Sequence, residues 1–147
     1  MIQEVPLGMP PESLTADVGL ARALKIARPS RPMIDAIVFR PDNLLLIEFK
    51  ISRWLDGLAH LVVYREMVQF TPELEQYKPL PIVLRLVQPY QNENMFLVAS
   101  YLHVEVEVFS TPEIDEYINV TLPGYSQSAH KKKRAELKKN RSALGLE

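Results

Sequence analysis

Residues 33–50 read MIDAIVFRPDNLLLIEFK, and the order of apolar, turn-forming and charged residues in this stretch decides the fold. Met33–Phe39 (MIDAIVF) and Leu44–Phe49 (LLLIEF) are apolar runs of strand length, and Arg40-Pro41-Asp42-Asn43 between them is a turn sequence. The stretch predicts a β-hairpin. Strands this apolar are normally covered on both faces, which places the hairpin inside a layered α/β domain. Asp35 is the only charge within the first strand, and Glu48 and Lys50 end the second. Burying a carboxylate without compensation costs roughly several kcal/mol, so such a group is paired, protonated or bound to a cation.

Glu48 and Lys50 lie two apart and share a face of the strand. Asp35 joins them there if the hairpin closes in an even register. The turn leaves that open. A type I turn at Pro41-Asp42 with Asn43 left-handed makes a three-residue loop, which sends Asp35 to the opposite face unless a bulge intervenes.

On the amino-terminal side, residues 1–11 are Pro-rich and read as an extended arm. Residues 13–27 read as one helix, with Leu14, Val18, Ala21 and Leu24 at threes and fours, Ser13 as a cap, and Pro29 and Pro32 ending it. On the other side, residues 54–70 carry a second helical stripe (Trp54, Leu58, Leu61, Val62, Val68) that Pro72, Pro79 and Pro81 break. Residues 81–87 and 104–109 read as further strands. Residues 93–102 between them fit a short helix or another strand. Thr111-Pro112-Glu113 opens a helical turn reaching Ile118, with proline at its first position. The order is α-β-β-α-β-(?)-β-α, a central mixed β-sheet flanked by helices in a mixed α/β domain over residues 1–128.

Residues 129–147 form a distinct tail. They hold seven Lys or Arg against two Glu, a net +5, whereas residues 1–128 hold ten against sixteen acids, a net −6. A basic tail on an acidic body suits contact with nucleic acid, and Lys131, Lys132, Lys133, Arg134, Lys138, Lys139 and Arg141 are its candidate phosphate contacts. A solvated helix end is the plainer account of the same charges. The chain has no cysteine, which excludes disulfides and thiolate metal sites and suits a reducing compartment. It shows neither a signal-peptide pattern nor a run of roughly 20 apolar residues, so an intracellular, cytoplasmic protein with no membrane partner is expected.

Two carboxylates offer hard oxygen ligands to Mg²⁺, and a lysine beside them can orient a water or stabilise charge on phosphorus. Asp35 followed by Glu48-Phe49-Lys50 resembles the D…ExK signature of the PD-(D/E)xK nucleases. The resemblance covers roughly residues 13–87, in the family's order of helix, hairpin, helix and strand. It implies a restriction-endonuclease-like core and a Mg²⁺-dependent (or Mn²⁺-dependent) nuclease that hydrolyses DNA phosphodiester bonds through a cation-activated water. In that scheme Asp35, Glu48 and the backbone carbonyl of Phe49 bind the metal, and Lys50 serves the attacking water. Some exonuclease-like branches of the family carry QxxxY on the following helix. Tyr64 matches that pattern here, and His60 stands in the glutamine's place. The family also often contributes an acid from its first helix, for which Glu12 and Asp17 are the candidates, and Arg65 on the second helix could buttress the site or reach phosphate.

Plainer roles exist for the same residues. Asp35 and Lys50 fit a structural ion pair at a sheet edge, and Glu48 a solvent-facing strand end. Tyr64 fits a core position, His60 the surface, and Arg65 a packed stem with its head in water. The alternative function is a nuclease-fold protein that does not cut and serves as a nucleic-acid-binding or viral particle assembly or packaging subunit, virion-associated. RNA in place of DNA, and a homodimer or larger assembly, stay open.

Overall fold

In the computed structural model, which describes residues 1–122, five strands form one mixed sheet: β1 (Ile2–Pro6), β2 (Met33–Phe39), β3 (Leu44–Phe49), β4 (Ile82–Gln88) and β5 (Val104–Val108), in that spatial order. β2 pairs antiparallel with both β1 and β3, whereas β3, β4 and β5 run parallel. Parallel neighbours need a crossover, and helices α3 (Trp54–Val68) and α4 (Glu93–Tyr101) supply the two. Helices α1 (Glu12–Val18) and α2 (Leu20–Ala27) lie between β1 and β2, and α5 (Pro112–Thr121) follows β5. The molecule is a mixed α/β domain with helices flanking a five-stranded sheet, and no helix among the described residues is long and apolar enough to cross a membrane.

The hairpin resolves the register. Phe39 pairs with Leu44 and Ala36 with Ile47, and the Arg40 N–H donates to the Asn43 carbonyl at 3.0 Å. Asn43 is not left-handed, and the three-residue loop does not form. One further step of the same register sets Asp35 opposite Glu48, on one face of the sheet.

Three expectations are corrected, and one open segment is resolved. The amino-terminal arm is a strand, clasped by Arg31. That buried guanidinium donates to the Gly8 carbonyl (2.6 Å), to the carbonyls of Pro6 and Leu7, and to both oxygens of Glu73. Charge-assisted bonds of this kind are the strong ones. They tie the end of β1 to the segment after α3. The single helix over residues 13–27 is two helices, divided at Gly19, whose φ of 78° lies in the left-handed region that glycine adopts without strain. Ser13 is not the cap, since Pro11 occupies that position with no side-chain bond. The undecided segment is a helix: Asn92 caps α4 by accepting from the Met95 N–H at 3.1 Å.

β3 is buried on both faces, as its apolar run requires. Leu44 and Leu46 pack with Ile37, Leu84 and Leu86 against Leu58, Leu61 and Val68 of α3, while Leu45 and Ile47 join Ala36 and Val87 on the reverse face. Each fully buried Leu or Ile stabilises the fold by roughly 1.5–3 kcal/mol. Glu48 comes next on the α3 side, at the carboxyl end of the strand.

Candidate functional site

Glu48 is 2 % exposed, an unusual place for a carboxylate. Its Oε1 lies 2.7 Å from Lys50 Nζ and 3.0 Å from His60 Nδ1. Its Oε2 is buried and has no hydrogen-bond partner among the described residues. Asp35, half-buried on β2, uses Oδ2 to accept the Phe49 N–H at 2.7 Å. This bond ties Asp35 to the end of β3, next to Glu48 in the chain.

Lys50 reaches Glu48 because α3 presents a glycine to it. A Cβ on Gly57 would stand 2.8 Å from Lys50 Cγ and 2.6 Å from Leu86 Cδ1, so only glycine lets the helix approach so closely. Gly57, His60 and Tyr64 recur at threes and fours and therefore share one side of α3. That side faces the sheet end, where the His60 and Tyr64 rings meet with centroids 5.6 Å apart. Tyr64 is buried. Burial, and after it the charges of Glu48 and Asp35, raises its phenol above the ordinary value of 10.0, so it remains a neutral O–H.

The structure thus brings together Glu48, Lys50, His60 and Tyr64, with Asp35 opposite Glu48 in the hairpin register. It does not bring in the others. Arg65 pairs with its neighbour Glu66 at 3.1 Å. Glu12 and Asp17 are exposed on α1, and no bond or ion pair joins either to the cluster. The tail cations from Lys131 to Arg141 lie outside the described residues.

Two residues escaped the sequence reading. Glu4 stands opposite Asp35 in the β1–β2 register and adopts φ 51°, a strained value for a residue with a side chain. The Arg28 guanidinium holds its carbonyl at 3.0 Å. Gln88, at the end of β4 and next to Lys50 by register, is fully buried with both side-chain polar atoms unpartnered among the described residues. Nothing local marks either one, since strained backbone and an orphaned amide arise only from tertiary packing.

A cleft of about 580 Å³ opens at this end of the sheet, and Asp35, Lys50, Glu4 and Gln88 contribute to its lining. It lies beyond the carboxyl ends of the parallel strands β3, β4 and β5, where open α/β sheets place their ligands. The orphaned Glu48 Oε2 tests whether a cation fits. A buried acceptor left unpaired costs roughly 1–3 kcal/mol, and a hard cation or its hydration water is a suitable partner. Among the described residues no three His, Asp or Glu side chains converge to hold a metal by themselves. Two carboxylates are nonetheless within the usual protein share for Mg²⁺, which keeps several waters and binds substrate phosphate. Glu48 and Asp35 are the residues that would hold a hydrated Mg²⁺. Comparisons with family models, with curated proteins and with solved structures find no match to this chain.

Proposed function

We propose that the chain is a Mg²⁺-dependent nuclease of the PD-(D/E)xK, restriction-endonuclease-like type, hydrolysing DNA phosphodiester bonds. The observation that carries this reading is the buried Glu48 carboxylate. One oxygen is fixed by Lys50 and His60, the other is unpartnered, and Asp35, opposite Glu48 in the hairpin register, lines the neighbouring cleft with Lys50. A cation or its hydration water is a suitable partner for the open oxygen.

Asp35 and Glu48 would hold the cation, with the Phe49 carbonyl as the third protein oxygen. When bound, it would make water a competent nucleophile near neutral pH and neutralise charge developing on the phosphate. Lys50, 2.7 Å from Glu48, is placed to orient the attacking water and to stabilise the phosphorane oxygens. His60 fixes the Glu48 carboxylate from the helix side. Tyr64, held neutral, can donate to a carboxylate or a phosphate but is not available as a base. The antiparallel hairpin, crossover helix and parallel strand that carry these residues follow the order the family resemblance requires.

The test is incubation of the pure protein with labelled single-stranded, double-stranded and branched DNA and with RNA, in Mg²⁺ or Mn²⁺. Cleavage is expected, with loss of at least a hundredfold in Asp35→Ala and Glu48→Gln and preserved folding. Undiminished cutting by either variant would falsify the assignment. DNA binding without cutting under any divalent ion favours the non-cutting nucleic-acid-binding or assembly subunit, which the fixed Lys50–Glu48 pair also accommodates.

A further inference from the structure

Two large apolar side chains are left in water at the cleft that holds Asp35 and Lys50. Phe49 is 52 % exposed and Phe109 is 54 % exposed, and both line it. They sit on either side of β4. Phe49 pairs with Val87 on one flank, and the Phe109 N–H donates to the Gln88 carbonyl at 2.8 Å on the other. Two strand spacings, roughly 10 Å, separate the chains that carry them. Val87, Pro89 and Ile114 of α5 also line the cleft, so much of its lining is apolar. Exposed aromatic pairs beside a carboxylate site are costly to leave in water and call for a partner with flat apolar faces.

We infer that this cleft takes unpaired nucleotides, and that the chain acts on single-stranded or frayed DNA rather than on intact duplex. The inference rests on the nuclease reading of the same site. Within a duplex the base faces are stacked on one another and cannot reach Phe49 or Phe109. An unpaired strand offers a face to each ring as its phosphate reaches Asp35 and Lys50. Phenylalanine carries no hydrogen-bonding group, so this stacking is tolerant of base identity. Residues 1–128 carry six more acids than bases, so the body offers little phosphate attraction to either form, and stacking is the contact that separates them. The cleft volume of about 580 Å³ lies within the roughly 300–1,000 Å³ range of clefts that enclose small organic ligands, which suits individual nucleotides and not a helix.

The experiment is fluorescence anisotropy on the full-length chain in EDTA, with a labelled single strand, a blunt duplex of the same sequence, and that duplex with an unpaired end. The wild type should bind the single strand and the frayed end more tightly than the blunt duplex. Phe109→Ala should weaken single-strand binding roughly tenfold, Phe49→Ala similarly, and neither should alter duplex binding by more than about twofold, since stacking is the contact removed. Phe109→Trp should retain or tighten binding, which a merely structural role does not predict. Circular dichroism checks folding, and Phe109→Leu replaces the alanine variant if that one unfolds. Equal binding of strand and duplex by the wild type overturns the inference, as do aromatic-to-alanine variants that bind single strands normally. Because no divalent ion is present, a chain that cuts nothing can still pass. A chain that cuts duplex preferentially, indifferent to both phenylalanines, fails this inference while its nuclease reading stands.

Discussion

Gly57→Ala tests the whole site from a residue with no chemistry of its own. In a helix interior, alanine is favoured over glycine by roughly 0.5–1 kcal/mol, so propensity alone predicts a more stable protein. Packing predicts the reverse. The new Cβ meets Leu86 Cδ1 at 2.6 Å and Lys50 Cγ at 2.8 Å, and restoring carbon contacts of about 3.5 Å requires shifts approaching 1 Å. Leu86 is fully buried and closely surrounded, whereas the Lys50 side chain is 25 % exposed. Lys50 yields first, and its 2.7 Å contact with Glu48 opens. Overpacking of this kind costs roughly 1–3 kcal/mol, which leaves a net destabilisation of up to about 2.5 kcal/mol after the helical gain. Displacing a catalytic group by about an ångström can cost roughly a hundredfold in rate. Urea unfolding measures the first effect and single-turnover cleavage at saturating DNA the second. Repeating both in a Lys50→Ala background separates them. There the rate effect of Gly57→Ala should vanish, while the part of the stability loss due to Leu86 persists. A Gly57→Ala protein that is both more stable and fully active refutes the idea that this glycine seats Lys50 against Glu48.

Gln88→Leu removes two buried, unpartnered polar atoms and should raise stability by about 1 kcal/mol or more in urea unfolding. A fall instead means that the amide has a partner, and reduced cleavage by the stabilised variant makes it part of the site. Glu73 gives an acid signature. Burial pushes its carboxyl up, but the hydrogen bond and charge of Arg31 outweigh this and hold it below the ordinary 4.5, so the stability it contributes is complete above that pH and is lost as pH falls through the lowered folded value. Glu73→Gln should flatten the acid limb of a stability–pH curve, and an unchanged limb rules the clasp out as its source. Truncation after Ser128 removes the net +5 of the tail and should make the log–log salt dependence of duplex binding shallower by several units, at roughly 0.9 per lost phosphate contact. An unchanged slope turns the tail toward an acidic protein partner instead.

The hairpin was legible in the sequence because everything that specifies it is local: two apolar runs, a turn between them, and charges at fixed parity along each strand. The parity of Asp35 relative to Glu48 depended on one residue of loop length. Asn43 was the ambiguous residue, and only the Phe39–Leu44 pairing settles it. What stayed illegible is non-local. β1 is a strand because its backbone pairs with β2, and Arg31, which reads as part of a Pro-rich break, fastens its end by sending its guanidinium to Pro6, Leu7, Gly8 and Glu73. The His60 contact with Glu48 was hidden for a different reason. α3 is apolar on nearly every side, with Leu55 and Val63 exposed as well as Leu58 and Leu61 buried, so hydrophobicity could not show which side meets the sheet. The glycine could. Gly57 is the one position in α3 without a side chain, and the face holding it, with His60 three residues on and Tyr64 seven, is the face on which another chain element can come closest. A helix that leads out of a strand ending in ExK, and carries a glycine in its first turn, therefore marks in sequence both the lysine's seat and the residues that stand over the carboxylate.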